Sequence, residues 1–273
     1  MTQVDHFISA VQASKTYTTR TGLVHAVKGV SFSANEGQFI SLLGPSGCGK
    51  STLLMMFAGL ESASSGHFFL AGEPVLGPRR DTGVIFQDAT LLPWKSVLEN
   101  VLFPVEIMKL ARNEYVDRAK ELLERVRLGG FENKRPHELS GGMRQRVAIC
   151  RALIHDPKVL LMDEPFSALD AITRDQMNVV LSELLERYRK TVIFVTHSIR
   201  EAVYLSDRIL VMGGRPSSIL LDLEIPFARP RPPEIEETPE FGAHCKTLRL
   251  TIERGHTNLD LSRTKVAQAE AAP

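Results

Sequence analysis

The sequence predicts an α/β fold: a mostly parallel sheet, an antiparallel β subdomain at its N-terminal side, and a helical insertion subdomain. Three observations predict it. Five short apolar runs, each closed by a polar residue or glycine, read as strands buried on both faces. A glycine-rich loop, GPSGCGKS, stands between one such strand and an apolar helix. The stretch from about 88 to 156 has helical rather than strand periodicity and separates the second run from the third.

Each element follows in chain order. The segment up to Glu36 reads as antiparallel strands with turns at TRTG (Thr19–Gly22) and ANEG (Ala34–Gly37). FISLLG (Phe39–Gly44) is the first buried strand, and KSTLLMMFAGL (Lys50–Leu60) is the helix beyond the glycine loop. TGVIFQ (Thr82–Gln87) is the second strand. In the helical stretch, Asn113 is placed to cap a helix whose apolar face is Val116, Ala119, Leu123 and Val126, and Gly129-Gly130 is placed to end it. VLLMDE (Val159–Glu164), TVIFVTH (Thr191–His197) and RILVMGG (Arg208–Gly214) complete the series. PFARPRPP (Pro226–Pro233) is a stiff extended segment, and the polar, Ala-rich end from about Arg254 reads as frayed. The division expected is one domain over 5–233, with a helical subdomain at about 88–156, and a partly disordered extension over 234–273.

Composition narrows the function. Lys plus Arg number 33 against 32 Asp plus Glu, a net charge of +1, so nucleic acid is not an expected partner. The three cysteines, Cys48, Cys150 and Cys245, have no metal-ligand spacing, and a reducing compartment suits them. The first residues, MTQVDHFISA, carry no signal-peptide pattern, and no apolar run is long enough to span a bilayer. Work at a membrane would therefore need another protein to hold this one there.

The chemistry lies in a few short stretches. Gly44, Pro45, Ser46, Gly47, Cys48, Gly49, Lys50 and Ser51 fit the phosphate-binding pattern G-x-x-x-x-G-K-[ST], and Thr52 follows. Glycines let backbone N–H groups converge on phosphate, and the helix N-terminus adds partial positive charge. Lys50 would reach the β- and γ-phosphates of a nucleotide, and Ser51 would ligate Mg²⁺. VLLMDEP delivers Asp163 to the carboxyl end of a strand, where it suits a Mg²⁺ site, and Glu164 beside it can polarise an attacking water. Alone, that pair would be an ordinary acidic strand end; beside a phosphate loop it is a catalytic candidate. Gln87 ends a strand where it can contact Mg²⁺ or the water, and His197 ends another within reach of a γ-phosphate. Tyr17 is a candidate to stack on an adenine. Each of these three has a simple structural alternative as a strand-end or packing residue.

A second anion cradle opens a helix far downstream. In LSGGMRQR (Leu139–Arg146), Ser140 and the amides of Gly141 and Gly142 are aimed outward. Met143, Val147, Cys150 and Ile154 form that helix's apolar face, which leaves Arg144, Arg146 and Arg151 to a solvated one. One domain does not readily wrap two cradles around one nucleotide, whereas two copies related by a two-fold axis can.

GPSGCGKST, LSGGMRQR, VLLMDEP, SALD and VTH together, in this order, resemble the ABC-type ATPases, over roughly Phe7 to Pro233. The resemblance implies a P-loop NTPase core and ATP with Mg²⁺. It also implies an ATP-sandwich homodimer in which the loop Ser167–Asp170 communicates across the interface. Tyr17 then matches the family's adenine-stacking aromatic and His197 its switch histidine. Met143 stands where many members have Gln. LLPWKSVLENVLFPVEI (Leu91–Ile107), with LSGGMRQRVAI and RPR (Arg229–Arg231), is similar to the ATPase subunits of nitrate, sulfonate and taurine importers. GGRPSSIL (Gly213–Leu220) departs from that subgroup's RPGRI. What this implies is an energy-coupling ATPase on the cytoplasmic face of the inner membrane, bound to integral-membrane permease subunits and served indirectly by a solute-binding protein. Leu91, Leu92, Pro93 and Trp94 would then grip a permease helix. A soluble ABC ATPase acting on nucleic acid, ribosomes or protein assembly is the alternative. Such proteins usually carry two cassettes or a long coiled coil, and each motif here occurs once. A simple P-loop kinase or GTPase would leave the Ser-Gly-Gly helix without a task.

Overall fold

The computed structural model describes residues 6–20 and 22–270, with side chains described up to residue 255. The chain runs β1 (Ile8–Thr19), β2 (Gly22–Ala34), β3 (Phe39–Leu43), α1 (Lys50–Phe57), β4 (Ser65–Leu70), β5 (Glu73–Pro74), β6 (Thr82–Ile85), α2 (Val97–Ile107), α3 (Arg112–Arg125) and α4 (Gly141–Leu153). It continues β7 (Val159–Asp163), α5 (Ala171–Tyr188), β8 (Thr191–Thr196), α6 (Ile199–Leu205), β9 (Arg208–Gly213), β10 (Ser218–Glu224) and α7 (Pro239–Glu270).

A six-stranded sheet of order β10-β9-β3-β8-β7-β6 forms the centre, parallel except for β10 against β9. Its strands feed two cores by strict alternation. Phe39, Leu43, Leu160, Met162, Val192, Phe194, Ile209 and Val211 face the larger helical side. Ile40, Leu42, Val159, Leu161, Ile193, Val195, Leu210 and Met212 face α1 and the antiparallel sheet. Burial on both faces is why these strands read as continuous apolar runs. The second sheet, β2-β1-β4-β5, is antiparallel as expected, with β4 and β5 added to the predicted pair.

The helices α2, α3 and α4 fill the interval between β6 and β7, where the sequence predicts the insertion. Its details differ from expectation at both ends of α3. The helix begins after Ala111 without a side-chain cap, so Asn113 lies inside the first turn rather than capping it. Its end is made not by Gly129-Gly130 but by Arg127, left-handed at φ 58°, with Leu128 N–H donating to Leu123 O at 2.8 Å. Leu128 is fully buried, and this anchor sets the reversal two residues earlier than the glycines.

The arginines of α4 do not form a solvated face. Arg144 donates to Leu139 O (2.6 Å), Arg146 to Val126 O (3.1 Å), and Arg151 to Ala89 O and Thr90 O (2.7 and 2.9 Å). Each guanidinium closes loop carbonyls that water would otherwise have to satisfy.

The extension expected to be partly disordered is a 3-10 turn (Pro233–Glu237) followed by α7. Phe241 and Leu248 are fully buried, and Cys245 and Ile252 pack beside them. That spacing is a helical stripe, which docks the first half of α7 on β9, β10 and α6. Residues 271–273 of the expected disorder lie outside the described residues. The PFARPRPP segment before it is irregular, and its Arg231 is buried, donating to Val203 O, Tyr204 O and Phe227 O. Burial lowers the Arg231 guanidinium to about 10.

Candidate functional site

Where β3 ends, the chain turns over Gly44–Gly49 and enters α1 at Lys50. Gly47 and Gly49 have φ of 73° and 102°, which side-chain-bearing residues avoid. Gly44 is needed for a different reason: a Cβ there would lie 2.3 Å from Met212 O of β9. Cys48 points into the protein, its Sγ 3.9 Å from Met212 O, and burial pushes its thiol up. Gly44, Pro45 and Cys48 are thus the footing of the loop. Ser46, Gly47, Gly49, Lys50, Ser51 and Thr52 line a cavity of about 500 Å³ together with Val24, His25, Ala26, Gln87, Glu164 and Arg215.

Lys50 is buried and donates to Gly44 O (2.9 Å) and Pro45 O (3.0 Å), so its ammonium is held under the loop's crest. Glu164 Oε1 lies 3.6 Å from it. The other oxygen of Glu164 is 2.9 Å from His197 Nδ1, at the end of β8. Glu164 takes a left-handed backbone, φ 44°, at the end of β7. Its N–H donates to Val195 O at 3.0 Å and its carbonyl accepts from Ser167 Oγ, also at 3.0 Å. A conformation costing about 1–3 kcal/mol is thereby fixed by its surroundings, and it aims the carboxylate into the cavity.

Ser51 Oγ donates to Asp163 Oδ1 at 2.8 Å. Burial raises the Asp163 carboxyl above the usual range, and the Glu164 charge adds to the rise. Two oxygen ligands side by side, one of them a carboxylate short of positive charge, fit a hard divalent cation that takes its other ligands from phosphate and water. Gln87 lies two residues beyond β6 on the same wall, and Gln145 of α4 donates to the neighbouring Phe86 O at 3.2 Å. Tyr17 is on β1 opposite Val24, with the Lys15 ammonium 5.0 Å from its ring centre, and it does not line the cavity.

The other predicted residues gather elsewhere. Ser140 caps α4, accepting from Met143 N–H at 3.3 Å, and Ser140 and Gly141 are exposed. Asp170 caps α5, accepting from Thr173 N–H at 2.9 Å, which holds its carboxyl below the usual range. A Cβ on Gly142 would lie 2.9 Å from Thr173 Cγ2, so the starts of α4 and α5 are in contact. None of these residues lines the phosphate-loop cavity. The sequence reading missed Val24, His25, Ala26 and Arg215, which a hairpin and a strand-to-strand turn bring over the loop. No local pattern announces them.

Residues 27–167 match the ABC transporter family. The chain belongs to that family. It is 44% identical over 225 residues to the aliphatic sulfonates import ATP-binding protein SsuB of Bacillus cereus, covering 81% of this chain and 88% of that one. It is 45% identical over 222 residues to the taurine import ATP-binding protein TauB of Burkholderia pseudomallei, covering 81% and 85%. Among solved structures, a dimeric ATP-binding cassette in a post-hydrolysis state with ADP and phosphate superposes with a TM-score of 0.72 at 33% identity, covering 81% of this chain and all of that one. The ABC ATPase is therefore an ATP-binding subunit of the family, and the mixed sheet with its antiparallel and helical subdomains is the cassette fold.

Proposed function

We propose that this ABC ATPase is the energy-coupling subunit of an importer that takes up a small solute of the nitrate, sulfonate or taurine type. The observation that carries the chemistry is Glu164, fixed between Lys50 and His197 at the mouth of the phosphate-loop cavity. Lys50, with the loop amides and Thr52, binds the phosphates. Ser51, Asp163 and Gln87 would hold Mg²⁺, which neutralises phosphate charge when bound. Glu164 orients a water and accepts its proton, and His197 holds the carboxylate on line. Tyr17, beside Val24 at the cavity's rim, turns toward adenine when nucleotide enters.

Ser140, Gly141, Gly142 and Asp170 serve the partner copy's nucleotide. Ser140, Gly141 and Asp170 are exposed, Gly142 is buried beside them, and all four lie together at the adjoining starts of α4 and α5, away from the chain's own cavity. The permease contact is the α2 side of the helical subdomain, where Trp94 and Ile107 are each 66% exposed. Gln145, tying α4 to the strand end before Gln87, links that subdomain to the nucleotide. Among the described residues no helix is long and apolar enough to cross a membrane. Its likeness to import ATP-binding proteins supports a peripheral place on the cytoplasmic face, where permease subunits hold it and a solute-binding protein supplies them with solute.

Glu164→Gln is the test. Losing the base is expected to slow phosphate release by about 10²- to 10⁴-fold while ATP still binds and drives a stable dimer. Phosphate release at the wild-type rate would remove Glu164 from the role.

A further inference from the structure

The phosphate-loop cavity contains a cation that the catalytic scheme does not use. Arg215 lies in the turn between β9 and β10, within the GGRPSSIL stretch, and lines the cavity beside Ser46, Gly47 and Gly49. Its guanidinium is packed on the loop itself: a Cβ at Gly47 would sit 2.9 Å from Arg215 Nη2. Arg215 has no hydrogen bond or ion pair to any described residue. An unpaired surface arginine is ordinarily a solvated one. This one is carried on a fixed turn, since Lys28 N–H donates to Ser217 O (2.9 Å) and Ser217 N–H to Ala26 O (3.0 Å). Those bonds fasten the turn to the part of β2 that lines the cavity beside it.

We propose that Arg215 binds the diphosphate of the nucleotide, on the side away from the γ-phosphate. This rests on the nucleotide reading of the cavity. The strand order decides which end Arg215 meets. The phosphate loop follows β3, in the middle of the sheet. Glu164, His197 and Gln87 come from β7, β8 and β6, all on one side of β3, and they surround the bond to be broken. Arg215 comes from beyond β9, on the other side, next to the hairpin residues Val24, His25 and Ala26. A triphosphate laid across the loop with its γ end toward Glu164 places its α- and β-phosphates under the guanidinium. Charge points the same way. Lys50 supplies one positive charge against the two carboxylates of Asp163 and Glu164, and Arg215 restores the balance. Arg is also the side chain whose planar fork matches phosphate oxygens.

The experiment compares wild type, Arg215→Gln and Arg215→Lys, titrated with ADP and with ATP in EDTA, where neither hydrolysis nor metal binding intervenes. The expected result is that Arg215→Gln weakens ADP and ATP by the same factor, about tenfold. Its affinity should also depend less on salt than that of wild type, and Arg215→Lys should recover part of the loss. Unchanged ADP affinity in Arg215→Gln overturns the proposal, as does a loss confined to ATP, which would put the guanidinium on the γ-phosphate. Wild type measured alongside separates the two levels of inference. If it fails to bind ADP, the nucleotide site itself is misassigned and this proposal falls with it; if it binds and the variant matches it, Arg215 alone is refuted.

Discussion

Asp163 and Glu164 are neighbours in sequence whose surroundings ask different things of them. Glu164 is offered two partners, Lys50 and His197, whereas Asp163 has one hydroxyl, from Ser51. Burial raises the Asp163 carboxyl, so the folded state holds its proton more tightly than the unfolded chain does. Such a group lowers stability as pH rises from the ordinary carboxylate value through the folded one. A divalent cation removes that penalty. Asp163→Asn, whose amide oxygen can still accept from Ser51, is therefore expected to melt at or above the wild-type temperature without ligand. It should also lose the extra stabilisation that Mg²⁺ and ADP give together, about 2.7 kcal/mol at a hundredfold excess over Kd. Thermal melts at pH 7, with and without Mg²⁺ and ADP, decide it. A variant that melts lower without ligand, or keeps the full Mg²⁺-dependent shift, contradicts this account of Asp163.

Among the elements, the loop before α2 is held by a single buried side chain. Asn100, wholly buried, accepts from Leu92 N–H at 2.7 Å and donates to the carbonyls of Leu92, Lys95 and Ser96. One side chain thus shapes the loop that displays Trp94, while the Ser96–Glu99 capping box starts the helix below it. Asn100→Ala strips partners from a buried amide and three carbonyls, and a loss of about 2–4 kcal/mol in chemical denaturation is expected. An unchanged denaturation midpoint would mean that the loop keeps its shape without Asn100. The apolar run LLPW is visible in the sequence; the asparagine that holds it eight residues later is not, because its partners are backbone groups with no sequence signature. The same division runs through the whole chain. Strands buried on both faces, and the glycine-lysine loop after one of them, announce themselves by composition. Arg144, Arg146 and Arg151 do not, since a guanidinium closing loop carbonyls looks in sequence like one facing water. In α7 the stripe of Phe241, Cys245, Leu248 and Ile252 was present but masked by the polar, Ala-rich end that follows it.

Over the molecule as a whole, the decisive geometry is that the phosphate loop and the Ser-Gly-Gly helix do not share a cavity. The loop lies over the middle of the sheet, and the residues around its cavity come from both flanking sides of that sheet. The exposed start of α4 instead adjoins the start of α5, so both motifs are presented outward together. If a head-to-tail pair completes each site with one loop and the other chain's helix, two differently crippled chains can rescue one another. Lys50→Ala spoils the loop and leaves the helix; Ser140→Arg blocks the helix and leaves the loop. Neither homodimer then has a complete site. A mixed dimer has one spoiled twice and one intact, the latter built from the loop of the Ser140→Arg chain and the helix of the Lys50→Ala chain. With both variants placed on the Glu164→Gln background to slow turnover, ATP should dimerise neither alone. An equal mixture should trap nucleotide at about half of the Glu164→Gln level, because ATP then drives only mixed dimers and each of those has one good site of two. Gel filtration with labelled ATP measures it. If the mixture is as inert as its parents, the sites are not shared between chains, whereas trapping by either variant alone would mean that one chain can close around ATP unaided.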